Sequence, residues 1–242
     1  MKLIRVLVFL LIVNSFLLLG YLNYEDSSSS YLREYANITW VIDGDTIETE
    51  LGVIRMLGIN TPEKKEKGFE EAKLFLDKYV GNQVILESSG DNRDKYGRLL
   101  RYAFVGGLFL NKEVLERGLG HYYAYSSDRY SKELLNSESN ARVLFLGIWK
   151  KSQNLCSSCV ILKKLNEVDP GEFAVLKNTC NFDCDLDNWK IQDDASFRKV
   201  LGFSLNSGEE IKINFTGRIW NDAGDSFYLR DSSGDLVLFY RY

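Results

Sequence analysis

The stretch VIDGDTIETELGVIRMLGINTPE, Val41 to Glu63, decides how most of this chain is read. Apolar and polar residues alternate in DTIETEL and again in VIRMLGI, which predicts two short, half-buried strands. Leu51-Gly52 between them predicts a tight antiparallel turn. With NITWVID just upstream and a turn at Asp43-Gly44-Asp45, three consecutive strands are expected. Pairing through the Leu51-Gly52 turn brings Asp45, at the start of the second strand, to the end of the third, where Asn60, Thr61, Pro62 and Glu63 form a corner. Strands buried for packing alone have no use for acids at one end and an arginine, Arg55, in the middle.

Downstream, Phe69, Ala72, Phe75, Leu76 and Tyr79 recur at helical spacing and predict a helix over 67–79. NQVILES and RLLRYAFV predict two more strands, separated by the polar loop SGDNRDKYG, and helices are expected over 111–119 and 129–147. Five short strands with a helix after the third predict a small Greek-key barrel of the OB type, capped by helices, over residues 36–151. Residues 152–171 are polar and cysteine-bearing and predict a linker. Residues 172–242 carry short alternating segments such as EFAVLKN, EIKINF and DLVLFYRY, which predict a small β-sandwich.

Upstream, Lys2 and Arg5 precede an apolar run from Val6 to Leu22, with Glu25 and Asp26 after it. That charge order predicts an N-terminus held inside and the remainder exported. The run is long for a signal peptide and no small-residue cleavage site follows, so residues 1–24 read as an uncleaved transmembrane anchor, a cleaved signal helix being the alternative. Residues 25–35, with Ser27 to Ser30, read as a flexible linker. The expected location is extracytoplasmic, membrane-anchored or secreted.

With 45% hydrophobic and 13% aromatic residues the chain can bury a core. Basic and acidic residues balance over 1–159, 20 of each, while 160–242 hold 10 basic and 14 acidic, so a surface that handles a polyanion must be local. His121 is the only histidine, which excludes mechanisms that need paired histidines, and it reads as a structural or surface imidazole. There is no glycine-rich Lys-Ser/Thr phosphate loop.

Carboxylates, arginines and tyrosines remain. Oxygen donors from Asp45, the Asn60 side chain and the Thr61 carbonyl suit a hard cation such as Ca²⁺. Arg55, in an otherwise apolar strand, needs an anionic partner, and Arg98 follows the turn in DKYGR. Two permanently charged guanidinium forks beside a cation match the charge that builds on a phosphodiester in its transition state, and Glu63 can take a proton from attacking water. The plainer alternative is an Arg55–Glu63 pair with Asp43 and Asp45 as turn residues.

IDGDT, the strand arginine ahead of TPE, DKYGR, VLERGLGHYYAY and GIW together resemble the staphylococcal nuclease (thermonuclease) family over about residues 37 to 150. The resemblance implies an OB barrel that hydrolyses DNA and RNA with Ca²⁺. It places Asp45, Asn60 and Thr61 at metal positions, Glu63 at the general base, and Arg55 and Arg98 on the phosphate. Lys95 and Tyr96 fall where a terminal phosphate is touched, and Tyr122, Tyr123 and Tyr125 lie where the family carries nucleotide-contacting tyrosines. Such rings stack single-stranded bases without reading sequence, or else pack over the barrel. The family pattern has aspartate where this chain has Asn60, which predicts weaker Ca²⁺ binding at a retained site.

The tail resembles the lamin-tail domain, an immunoglobulin-like sandwich, through EFAVLKNTC, LDNWKIQDD and WNDAGDSFYLRDSSGDLV. Cys156 and Cys159, with Cys180 and Cys184, read either as two disulfides, in keeping with export, or as a Zn²⁺ site. The reading is thus a Ca²⁺-dependent nuclease of DNA or RNA, favouring single strands, with an accessory sandwich. A barrel that binds nucleic acid or protein without cleaving is the alternative, and a surface adhesion protein built on the sandwich is a third.

Overall fold

The computed structural model describes residues 32–123, 129–168, 171–195, 197–221 and 224–242. The alternation around Val41 to Glu63 becomes a run of antiparallel strands, β1 (Arg33–Val41), β2 (Thr46–Thr49) and β3 (Gly52–Met56). Ile38, Val41, Ile47, Ile54 and Met56 point into the core. Beyond a two-residue strand, β4 (Ile59–Asn60), come β5 (Gln83–Arg93) and β6 (Leu99–Val105). β5 pairs with β1 on one side and β6 on the other, and β6 runs parallel to β3 through Ile54↔Leu99 and Arg55↔Leu100. The order β3-β2-β1-β5-β6 therefore returns to β3, a closed five-stranded barrel of the OB kind without free edges, and β7 (Leu108–Phe109) extends β6.

Helices α1 (Phe69–Asp77), α2 (Leu110–Glu116) and α3 (Ser131–Val143) cover the barrel. α1 buries Ala72, Phe75 and Leu76, each large apolar side chain contributing about 1.5–3 kcal/mol. The turn that carries the acids is pressed against this helix. A Cβ on Gly44 would lie 2.5 Å from the Ala72 Cβ and 2.9 Å from Thr61 Oγ1, so only glycine fits between them. β8 (His121–Tyr122) pairs with β4, Asn60 opposite His121, and so ties down the corner.

Two boundaries differ from the sequence reading. β1 begins at Arg33, inside the expected linker, because Arg33 to Asn37 find ladder partners on β5. β5 continues to Arg93, into the expected polar loop, through an irregularity in its pairing with β6.

The 152–171 segment is structured where a linker is expected. After the fully buried Trp149, Lys150 and Ser152 hydrogen-bond the backbone of Leu236. A 3-10 turn at Leu155–Ser158 follows, then β9 (Val160–Asn166), which pairs with β10 (Phe173–Asn178). Polar composition hid β9 because its outer face is solvated.

The four cysteines form two disulfides, Cys156–Cys184 and Cys159–Cys180, and the Zn²⁺ alternative falls with that pairing. β11 (Cys184–Asp185), which carries the partner of Cys156, pairs with β14 (Ser204–Leu205).

In the tail, β9 and β10 make one sheet with β15 (Glu210–Asn214). β12 (Lys190–Gln192), β13 (Arg198–Val200), β16 (Ser226–Arg230) and β17 (Leu236–Arg241) make another, in the order β13-β12-β16-β17. Both sheets share one apolar core that includes Trp189, Trp220, Leu176 and Phe227. A third cluster joins Ala141, Ile148 and Trp149 to Tyr228 and Leu236, so Arg33 to Tyr242 form one compact unit.

Among the described residues no helix is long and apolar enough to cross a membrane. The expected anchor at 1–24 and the serine stretch Ser27 to Ser30 lie outside the described residues.

Candidate functional site

The end of β3, the Asp43–Asp45 turn and the Asn60–Glu63 corner meet at a cleft of about 580 Å³. Asp45, Arg55, Asn60, Glu63, Lys95, Tyr96, Arg98 and Tyr123 all line it, so the structure brings together residues spread over nearly eighty positions of sequence. Tyr122 faces a neighbouring cavity instead, and Tyr125 lies outside the described residues.

Arg55 is buried and pairs with Asp45, not Glu63, at 3.2 Å. Its Nη1 donates to the carbonyls of Met56 at 2.6 Å and Ile59 at 2.8 Å, and its Nη2 to Asn60 Oδ1 at 3.1 Å. Three of the guanidinium N–H groups are thereby hydrogen-bonded and Nε is paired with Asp45, which fixes the fork and leaves an Nη2 N–H for a ligand in the cleft. Asp45 is gripped from the other side by the Thr61 N–H at 2.8 Å and hydroxyl at 3.0 Å. Thr61 itself is buried behind Asp45 and does not face the cleft.

Asp43, two residues before Asp45, accepts the Asp45 N–H at 3.1 Å. Burial, and then the negative charge of Asp45, push its carboxyl up to about 6. Two carboxylates crowded at the mouth of a polar cleft are what a cation would relieve. The donors that line the cleft, two carboxylates and the Asn60 amide oxygen, are all hard oxygens, and the set fits Ca²⁺ in kind.

Arg98 is held by Asp94, which accepts its Nε–H at 2.7 Å and its backbone N–H at 2.9 Å. Burial raises the Asp94 carboxyl, but the bonds and charge of Arg98 with the Tyr96 N–H outweigh it and hold the acid below its usual range. Arg98 and Lys95 both lie over the Tyr96 ring, at 5.5 and 5.0 Å from its centre, and that ring is 72% exposed. Glu63 is exposed in the cleft; its backbone N–H donates to Glu66 Oε2 at 2.9 Å.

Asn60 departs from its expected surroundings. Its Oδ1 accepts from Arg55, while its Nδ2 donates to the carbonyls of Asp194 at 3.1 Å and Ala195 at 3.2 Å, and Ala195 lines the cleft.

Sequence reasoning missed Asp43, Asp94 and Ala195 as members of the site. Asp43 and Asp94 were findable, one by its place in the DGD turn and the other by standing four residues before Arg98. Ala195 was not, being 135 positions from Asn60. His121 is buried between Trp149 and Tyr228, at ring distances of 5.8 and 4.7 Å, and burial holds its imidazole well below the usual range. Its place is structural.

Residues 53–151 match the family described as staphylococcal nuclease homologue. An uncharacterized protein of Methanocaldococcus jannaschii is 29% identical over 168 residues, covering 56% of this chain and 81% of that protein. An endonuclease of Bacillus subtilis, YncB, is 32% identical over 136 residues, 50% of this chain and 64% of its own length. A thermonuclease of Staphylococcus hyicus is 30% identical over 121 residues, 45% of this chain and 72% of its own.

Proposed function

Since the chain belongs to the staphylococcal nuclease homologues, we propose that it is a Ca²⁺-dependent nuclease that hydrolyses phosphodiester bonds of DNA, RNA or both with low sequence specificity. The observation that carries this reading is the single cleft in which Arg55, Arg98, the Asp43–Asp45 pair and the solvent-facing Glu63 converge. The remaining Nη2 N–H of Arg55 and the free edge of Arg98 hold the phosphate oxygens as negative charge grows on them. Glu63 takes a proton from water as its oxygen bonds to phosphorus and the bond to the leaving oxygen breaks. Held by Asp43, Asp45 and Asn60, Ca²⁺ would supply further neutralisation of that charge.

Single strands are the favoured substrate: the exposed Tyr96 ring and Tyr123 offer stacking faces that need no base pairing broken first. The tail is proposed to be a lamin-tail-like sandwich, supported by two sheets around Trp189 and Trp220. An extracytoplasmic location, by anchor or secretion, is supported by two disulfides, which persist in oxidising compartments, and by the charge order about the N-terminal apolar run. The alternative of binding without cleavage draws on Asn60, which brings no charge to the cation.

Cleavage of single-stranded DNA with Ca²⁺ and with chelator, in wild type and Glu63→Gln, tests the proposal. The expected result is cation-dependent cleavage that falls at least a hundredfold in Glu63→Gln. DNA bound but uncut by the wild type would favour the binding barrel.

A further inference from the structure

The corner that bears Asn60 and Glu63 is held by the tail at two separate points. At the first, the Asn60 amide donates to the carbonyls of Asp194 and Ala195. At the second, Glu66 accepts from Arg198 at 2.6 Å and from Gln192 at 3.1 Å, and the same carboxylate accepts the backbone N–H of Glu63. Glu66 is thus shared between the tail and the residue read as general base. Its carboxyl is lifted by burial, but the bond and charge of Arg198 outweigh that and keep it below its usual range, so the acceptor stays ionised.

We propose that the tail is a positioning part of the catalytic site: Arg198 acts through Glu66 to fix the Glu63 backbone, and the 194–195 carbonyls act through Asn60 to hold its amide oxygen on Arg55. This deepens the nuclease reading and rests on it. It also accounts for asparagine at position 60. A carboxylate there would have no N–H to donate and would set a negative charge against two carbonyl oxygens, so the residue that latches the tail cannot also be the aspartate of the family pattern. Ala195, carried on the same loop, becomes one wall of the cleft. Arg198 and Glu66 touch no reacting atom in this scheme; they are positioning residues.

The test uses the full chain with Arg198→Met, which keeps the apolar stem, and Arg198→Lys, which keeps the charge. Backbone amide exchange at Glu63 and steady-state cleavage of a single-stranded DNA oligonucleotide are measured together. Arg198→Met is expected to speed exchange at the Glu63 N–H about tenfold or more and to lower kcat ten- to a hundredfold, with KM changed by less than about twofold. Arg198→Lys is expected to restore part of both. Glu66→Gln, which leaves the tail sequence untouched, is expected to shift both in the same direction and serves if Arg198→Met does not fold. Unchanged exchange in these variants overturns the proposal, as does faster exchange with kcat retained. A wild type that never cleaves defeats the nuclease reading alone; faster exchange at Glu63 in Arg198→Met then still supports the tether, and unchanged exchange overturns it.

Discussion

At the scale of single residues, Asn60 is placed between two demands. It offers an oxygen toward Arg55 and an amide toward the tail, and neutrality is what lets it do both. Asn60→Asp restores a charge for the cation and removes the latch. Calorimetric titration of Ca²⁺ is expected to show tighter binding, by about tenfold, while thermal unfolding of the same variant shifts down by about 1–3 kcal/mol for the carbonyls left facing a carboxylate. Much of the site is legible at this scale, because IDGDT, Arg55, the TPE corner and DKYGR carry their chemistry in short stretches. The second role of Asn60 is not legible, since its partners stand 134 and 135 positions away and have no side-chain signature: they are carbonyls.

At the scale of elements, the loop between β12 and β13 is the piece of the tail nearest the cleft. Asp193 anchors it by accepting the N–H groups of Ala195 and Phe197, at 3.0 and 2.8 Å. Burial raises its carboxyl to about 6, the Asp225 charge adding to that and the Phe197 N–H opposing it. Because the folded value lies above the ordinary 3.8, the group favours the fold most at low pH, where it is protonated, and that contribution is lost as pH rises from about 4 through 6. Asp193→Asn keeps an acceptor for both N–H groups and removes the titration. The variant is expected to gain on the wild type across that window, by up to about 3 kcal/mol, when melting is followed at pH 4, 5, 6 and 7. A constant offset between the two proteins would mean that Asp193 titrates normally. The barrel strands were readable from alternation alone, whereas β9 was not. It carries two lysines and an asparagine among its seven residues, and its identity as a strand comes from β10 beside it.

At the scale of the whole molecule, the barrel and tail meet through buried charge as well as apolar contact. Glu138 on α3 is fully buried and accepts from Nη1 and Nη2 of Arg241, at 2.5 and 3.0 Å, together with the Tyr122 N–H. Arg230 donates to the Ile148 carbonyl at 2.7 Å, and Lys67 pairs with Asp235 at 2.6 Å. Taking one partner from a buried ion pair costs about 3–5 kcal/mol, so the two parts depend on each other. A chain ending after Lys151 would lay bare Ala141, Ile148 and Trp149. That truncated barrel is expected to melt well below the barrel transition of the full chain and to self-associate on size-exclusion chromatography; equal melting and a monomeric profile would show the tail to be energetically idle. Composition and spacing could not have revealed this docking, because complementary faces are assembled only after each part has folded.

The two disulfides are nested, with the Cys159–Cys180 loop lying inside the Cys156–Cys184 loop. A protease that cuts once anywhere from Val160 to Thr179 therefore severs the backbone without separating the pieces, because both bridges span the nick. The barrel would still carry the tail as a covalent attachment until the bridges are reduced or the backbone is cut again.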